Sequence, residues 1–118
     1  MNSFRHVCWA FVVLLAIACT QMPPSSQHRA LEASALSLLE SGMALGSVAE
    51  SAWPSEIAEL SPERVYAREE GLYIVLSSFF VTESGVFVPR STTFTEQLRS
   101  DPSYKRLSDN VFEYQIGG

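Results

Sequence analysis

Chemically reactive side chains are scarce in this chain. It has two histidines, His6 and His28, two cysteines, Cys8 and Cys19, and one lysine, Lys105. No Cys–His or Ser–His–Asp set can be assembled on the part that reads as folded. No G-x-S-x-G elbow and no glycine-rich phosphate loop occurs. The acidic residues are scattered rather than spaced as metal ligands. The one adjacent pair among the expected turns, Glu69-Glu70, sits where solvated charge is the ordinary state. We therefore assign no catalytic, cofactor-binding or metal-binding residue, and read the chain as non-enzymatic. Basic residues are also few. Eight Lys and Arg face thirteen Asp and Glu, a net charge of −5, which repels phosphate backbones and argues against nucleic acid as a partner.

Long apolar runs are missing too. The run 7–18, VCWAFVVLLAIA, has twelve residues, against the roughly 20 that a membrane-spanning helix needs. It fits the apolar region of about 7–15 residues in a secretory signal. Arg5 precedes it, and small residues close it at Ala16-Ile17-Ala18.

Ala16-Ile17-Ala18-Cys19 resembles the lipobox of bacterial lipoproteins, with Ala16 where that family favours Leu. The resemblance covers residues 1–20. It implies a diacylglyceryl group on Cys19, cleavage just before it, and membrane attachment outside the cytoplasm. Thr20 resembles residues that permit sorting to the outer membrane, facing the periplasm, in a host that has one. The expected organisation is a signal peptide at 1–18, a lipidated N-terminus and tether at 19–29, and one small domain at 30–118. Removing 1–18 takes Arg5 away and leaves a net charge of −6. Two acyl chains give stable anchoring where a single chain is marginal. Cys19 becomes the only cysteine, so no intramolecular disulfide can form and packing alone must hold the domain.

The tether, TQMPPSSQHR, has the Pro and Ser content of a solvated linker. From 30 to 52 the spacing of Leu31, Ala35, Leu38, Leu45, Ala49 and Ala52, with Gly42 in register, predicts a helix. Gly42 and Gly46 mark places where it would kink or break. Trp53-Pro54 ends it. Strands are expected at 64–68, 72–82, 86–90 and 110–116. Two three-residue turns, Glu69-Glu70-Gly71 and Glu83-Ser84-Gly85, would join the first three. The segment 91–108 reads as irregular. The fold expected is α+β: an N-terminal helix on a small antiparallel meander of about four strands.

With those turns, Tyr66, Leu72, Ile74, Leu76, Phe80, Val86 and Val88 fall on one sheet face. Val65, Ala67, Tyr73, Val75, Phe79, Val81 and Phe87 fall on the other. One helix covers one face. The second must be closed by 91–108, by another copy or by a ligand. Tyr73, Phe79 and Phe87 are thus the candidate interaction face, although aromatic residues are as ordinary in cores as at interfaces. Two functions are compatible with this chemistry. One is a structural or protein-interaction lipoprotein of the cell envelope, with an envelope protein or a second copy (a homodimer) as partner. The alternative is a carrier of small apolar ligands, with its pocket between helix and sheet.

Overall fold

A computed structural model describes Pro23, residues 25–42 and residues 44–117. Cys19 and the expected signal segment lie outside the described residues. After a short 3-10 turn at Ser25–Gln27, helix α1 spans His28–Glu40. Its buried positions, His28, Leu31, Ala35 and Leu39, recur every three or four residues and form one stripe. The helix therefore starts at His28, two residues before the expected 30. His28 belongs to the fold rather than to a tether: its ring is buried and its Nε2 lies 3.1 Å from the Pro23 carbonyl.

The helix is shorter than the sequence predicted. The Ser41 hydroxyl turns back to the Leu38 carbonyl at 2.6 Å, and Gly42 takes a φ of +78°. A left-handed residue just past the last turn is the usual way a helix stops, and glycine adopts it without strain. Leu45 is then exposed instead of continuing the apolar stripe. The chain runs on as a two-residue strand β1 (Gly46–Ser47), a 3-10 turn at Glu50–Ala52 and a one-turn helix α2 (Ser55–Ala58). The Trp53 indole N–H donates to the Val48 carbonyl at 3.1 Å and pins this return segment.

Five further strands follow: β2 (Arg64–Ala67), β3 (Gly71–Phe79), β4 (Thr82–Pro89), β5 (Ser103–Ser108) and β6 (Val111–Ile116). All pair antiparallel in one sheet ordered β1-β2-β3-β4-β6-β5. The α+β class expected from the sequence is observed, with six strands among the described residues rather than about four. The sheet is also not a simple meander, since β6 lies between β4 and β5.

Both turn assignments shift. Arg68 and Gly71 exchange backbone hydrogen bonds, so Glu69-Glu70 alone make the β2–β3 turn. Tyr66 then lies opposite Tyr73, and Ala67 opposite Leu72. Because side chains alternate along a strand, this one-residue change moves Tyr66 to the face of Tyr73 and moves Val65 and Ala67 to the face of Leu72. The β3–β4 turn is Phe80-Val81, between the paired Phe79 and Thr82. Glu83-Ser84-Gly85, read as a turn, lies inside β4. A bulge between Val75 and Ser77 crosses there, and a β-carbon on Gly85 would come within 2.0 Å of the Ile74 carbonyl oxygen. Gly85 is required for close backbone approach, not for a turn.

The sheet carries a core on each side. Under α1, Leu31, Ala35 and Leu39 meet Val65, Ala67, Leu72, Ile74, Val86, Val88 and Val111, with Ile57 and Leu60 closing one end. Each fully buried Leu or Ile here contributes about 1.5–3 kcal/mol. On the opposite side lie Tyr66, Tyr73, Val75, Phe87, Tyr104, Phe112 and Tyr114, with Phe94 packed over them.

Candidate functional site

All four tyrosines of the chain lie on the second face, and all four hydroxyls end in one of two hydrogen-bonded groups. In the first, Glu83 is the acceptor. Tyr66 donates to its Oε2 at 2.5 Å and Tyr114 to the same oxygen at 2.8 Å. Arg64 forms a salt bridge to Oε1. In the second, Tyr73 donates to Glu70 Oε2 at 2.8 Å, and its oxygen lies 2.6 Å from the Tyr104 hydroxyl. A phenol has one proton to give. Since that of Tyr73 goes to Glu70, Tyr104 donates to Tyr73.

The rings below these hydroxyls are in mutual contact. Tyr66 stacks on Tyr73 at 4.9 Å, with the planes 12° apart, and Tyr73 meets Phe87 at 4.6 Å and Tyr114 edge-on at 5.0 Å. Phe94 touches Phe87, Tyr104 and Phe112 at 4.9–5.0 Å. The segment carrying Phe94 is tied down by its backbone. Arg106 donates to the Phe94 carbonyl at 3.1 Å, Glu96 accepts from the Arg106 N–H at 3.1 Å, and Gln97 and Tyr104 exchange two bonds of 2.9 Å. The region expected to be irregular is thus the cover of the second face.

Burial raises the pKa of each of the four phenols above its ordinary value. Glu83 adds to this for Tyr66 and Tyr114 through its hydrogen bond and its charge. Tyr104 and Glu70 add to it for Tyr73, and the charge of Glu70 for Tyr104. Neutral phenols of this kind donate hydrogen bonds and stack. They do not serve as bases or nucleophiles near neutral pH. Among the described residues no group of three or more His, Cys, Asp or Glu side chains is placed to hold a metal ion.

Two parts of this region reach solvent. One is an open groove of about 720 Å³ bounded by Leu45, Gly46 and Ser47, by Tyr66 and by Ile116. Arg64 and Arg68 line it together with Glu69, Glu70 and Glu83. The Arg68 guanidinium sits 5.2 Å above the Tyr66 ring. The groove is mixed in charge and has an aromatic floor. The other is the β3–β4 turn, where Phe79, Phe80 and Val81 are 70%, 90% and 70% exposed.

The three aromatic residues singled out from the sequence do not form one surface. Tyr73 and Phe87 are in contact but buried, 2% and 0% exposed. They are core, closed by Phe94, which corrects the expectation of an interaction face there. Phe79 is separated from them by the bulge after Val75 and stands at the exposed turn. Sequence reasoning missed Tyr66, which the three-residue turn placed on the wrong face, Glu70, which read as a solvated turn charge, and Glu83, which read as the start of a turn. The signal for Glu83 was the alternation of Phe112, Tyr114 and Ile116, which marks a strand able to pair through it. Among the described residues no helix is long and apolar enough to cross a membrane. Comparison with models of protein families, with characterised proteins and with solved structures gives no match to this chain.

Proposed function

We propose that this chain is a cell-envelope lipoprotein of non-enzymatic, protein-interaction type, held to its membrane by a lipid on Cys19. The observation that carries the reading is the apolar run 7–18 closing on Ala16-Ile17-Ala18-Cys19. In a host with an outer membrane, Thr20 after the cysteine directs the protein there, facing the periplasm. The groove beside Tyr66 supports the interaction class. Two arginines and three glutamates around an aromatic floor suit a polar peptide surface better than an apolar small molecule. The carrier alternative draws no support from the helix–sheet interface, which Leu31, Ala35 and Leu39 fill against Leu72, Ile74 and Val86.

The test has two parts. Mass spectrometry of the protein from a lipoprotein-processing host should find diacylglycerol on Cys19, and Cys19→Ser should move the protein to the soluble extracytoplasmic fraction. Crosslinking of the full chain in that host should capture a protein partner, and Arg68→Glu should reduce the yield severalfold. An unmodified soluble chain refutes the anchor. A partner captured equally by the Arg68→Glu variant refutes the groove.

A further inference from the structure

Three consecutive bulky apolar residues on a tight turn are not explained by the domain's own packing. Phe79, Phe80 and Val81 are each at least 70% exposed, and Phe80 has a φ of +56°. The first residue of a two-residue hairpin turn is normally Gly, Asn or Asp when φ is positive. A Phe held there, 90% exposed, is strained, and its ring meets the neighbouring Phe79 edge-on at 4.4 Å.

The position of this turn relative to the chain's N-terminal end indicates its occupant. Pro23, Gln27 and Leu31 line the same hollow as Glu59 and Leu60. Three residues past Leu60, Glu63 donates its backbone N–H to the Val75 carbonyl at 2.8 Å, and its carboxylate accepts from the Ser78 hydroxyl at 2.6 Å and the Ser78 N–H at 3.1 Å. The start of the described chain and the β3–β4 turn are therefore at the same end of the sheet. Cys19 precedes Pro23 by four residues, a reach of at most about 14 Å. A lipid on Cys19 brings this end, and not the other, to the bilayer.

We infer that the β3–β4 turn is a membrane finger, with Phe79, Phe80 and Val81 inserted among zwitterionic headgroups of the bilayer that holds the lipid on Cys19. The inference rests on the lipoprotein reading above. Aromatic rings favour the headgroup layer, and Ser77, Ser78 and Thr82 at the base of the turn suit its polar side. The charged groups at the base of the finger are mainly acidic, Glu63 on Ser78 and Glu83 on Arg64, so insertion is driven by apolar area and not by attraction to anionic lipid. The lipid alone would leave the domain free to swivel on its tether. A second point of contact fixes its orientation and turns the Tyr66 groove in a constant direction.

The full chain, produced in a lipoprotein-processing host and reconstituted in phosphatidylcholine vesicles, tests this with Phe80→Trp and, separately, Phe79→Trp as depth probes. The unsubstituted chain gives the Trp53 background. The expected result is blue-shifted emission from both probes, strong quenching by lipids brominated on the acyl chain, and at least a severalfold loss of quenching by aqueous iodide. The result should be the same at low and high salt. Emission as in water with full iodide quenching overturns the finger, including the case in which the turn instead crosslinks to a protein. Insertion lost at high salt overturns the apolar mechanism. The N-terminal mass of the same sample reports the lipid on Cys19, so failure of the anchor and failure of the finger are separate outcomes.

Discussion

On the α1 side of the sheet the core cluster is built of Leu, Ile, Val and Ala, and His28 is the buried polar residue of the α1 stripe. On the other side the buried set is four tyrosines, two phenylalanines and one valine, and its hydroxyls must find acceptors at the rim. The aliphatic cluster itself carries no hydroxyl that needs an acceptor. The aromatic side is satisfied only while Glu83 and Glu70 hold four phenols and the segment around Phe94 stays in place. A second face with this composition is a closed core whose stability depends on two carboxylates at its rim, exposed Glu70 and largely buried Glu83. That dependence is the difference between the faces, and it is open to measurement.

The largest expected effect sharpens the comparison. Phe87→Ala should cost about 3–5 kcal/mol and Ile74→Ala about 2–5 kcal/mol in denaturant unfolding, as for buried side chains generally. Both are fully buried. A Phe87→Ala variant with unchanged stability and weakened self-association would reopen the aromatic face as an interface.

Next is Glu83→Gln, which keeps the shape and removes the charge that accepts from Tyr66, Tyr114 and Arg64. An amide has one oxygen for these donors, so the loss should be about 1–3 kcal/mol. The smallest effect belongs to Arg64→Ala. Its side chain is half exposed, and removing it should cost no more than about 1 kcal/mol. The order of these two results matters. If Arg64→Ala cost as much as Glu83→Gln, the ion pair rather than the phenols would hold Glu83.

Much of this was legible in the sequence. The spacing of Leu31 and Ala35 gave a helix, and the runs around Tyr73, Phe87 and Phe112 gave strands. The class and the need to close a second face followed. The errors were local. Glu69-Glu70-Gly71 and Glu69-Glu70 are both reasonable turns, and only pairing across the whole strand decides between them. That single residue carried Tyr66 to the other face. Gly85 looked like a turn glycine because sequence does not show a bulge crossing it. β5 was missed because SYKRLS places two exposed basic residues, Lys105 and Arg106, side by side on an edge strand, with Tyr104 as its one buried residue. β1 is two residues long, too short for any periodicity. The exposure of Phe79 and Phe80 was hidden because the same residues suit a strand interior equally well.

The central claim, that the aromatic face is a closed core of neutral hydrogen-bonded phenols, is tested most directly by alkaline titration. Burial and the carboxylates raise all four phenol pKa values above the ordinary value. Below about pH 10 both folded and unfolded chains keep these protons, and the stabilisation is fully present. Above that pH the unfolded chain loses protons that the folded chain retains, so stability falls by up to about 1.4 kcal/mol per pH unit for each tyrosine. The account predicts no tyrosinate absorbance from the folded protein through pH 10, then the appearance of all four tyrosinates together with loss of the near-ultraviolet circular dichroism signal. Four tyrosines titrating reversibly near pH 10 with the fold intact would contradict it.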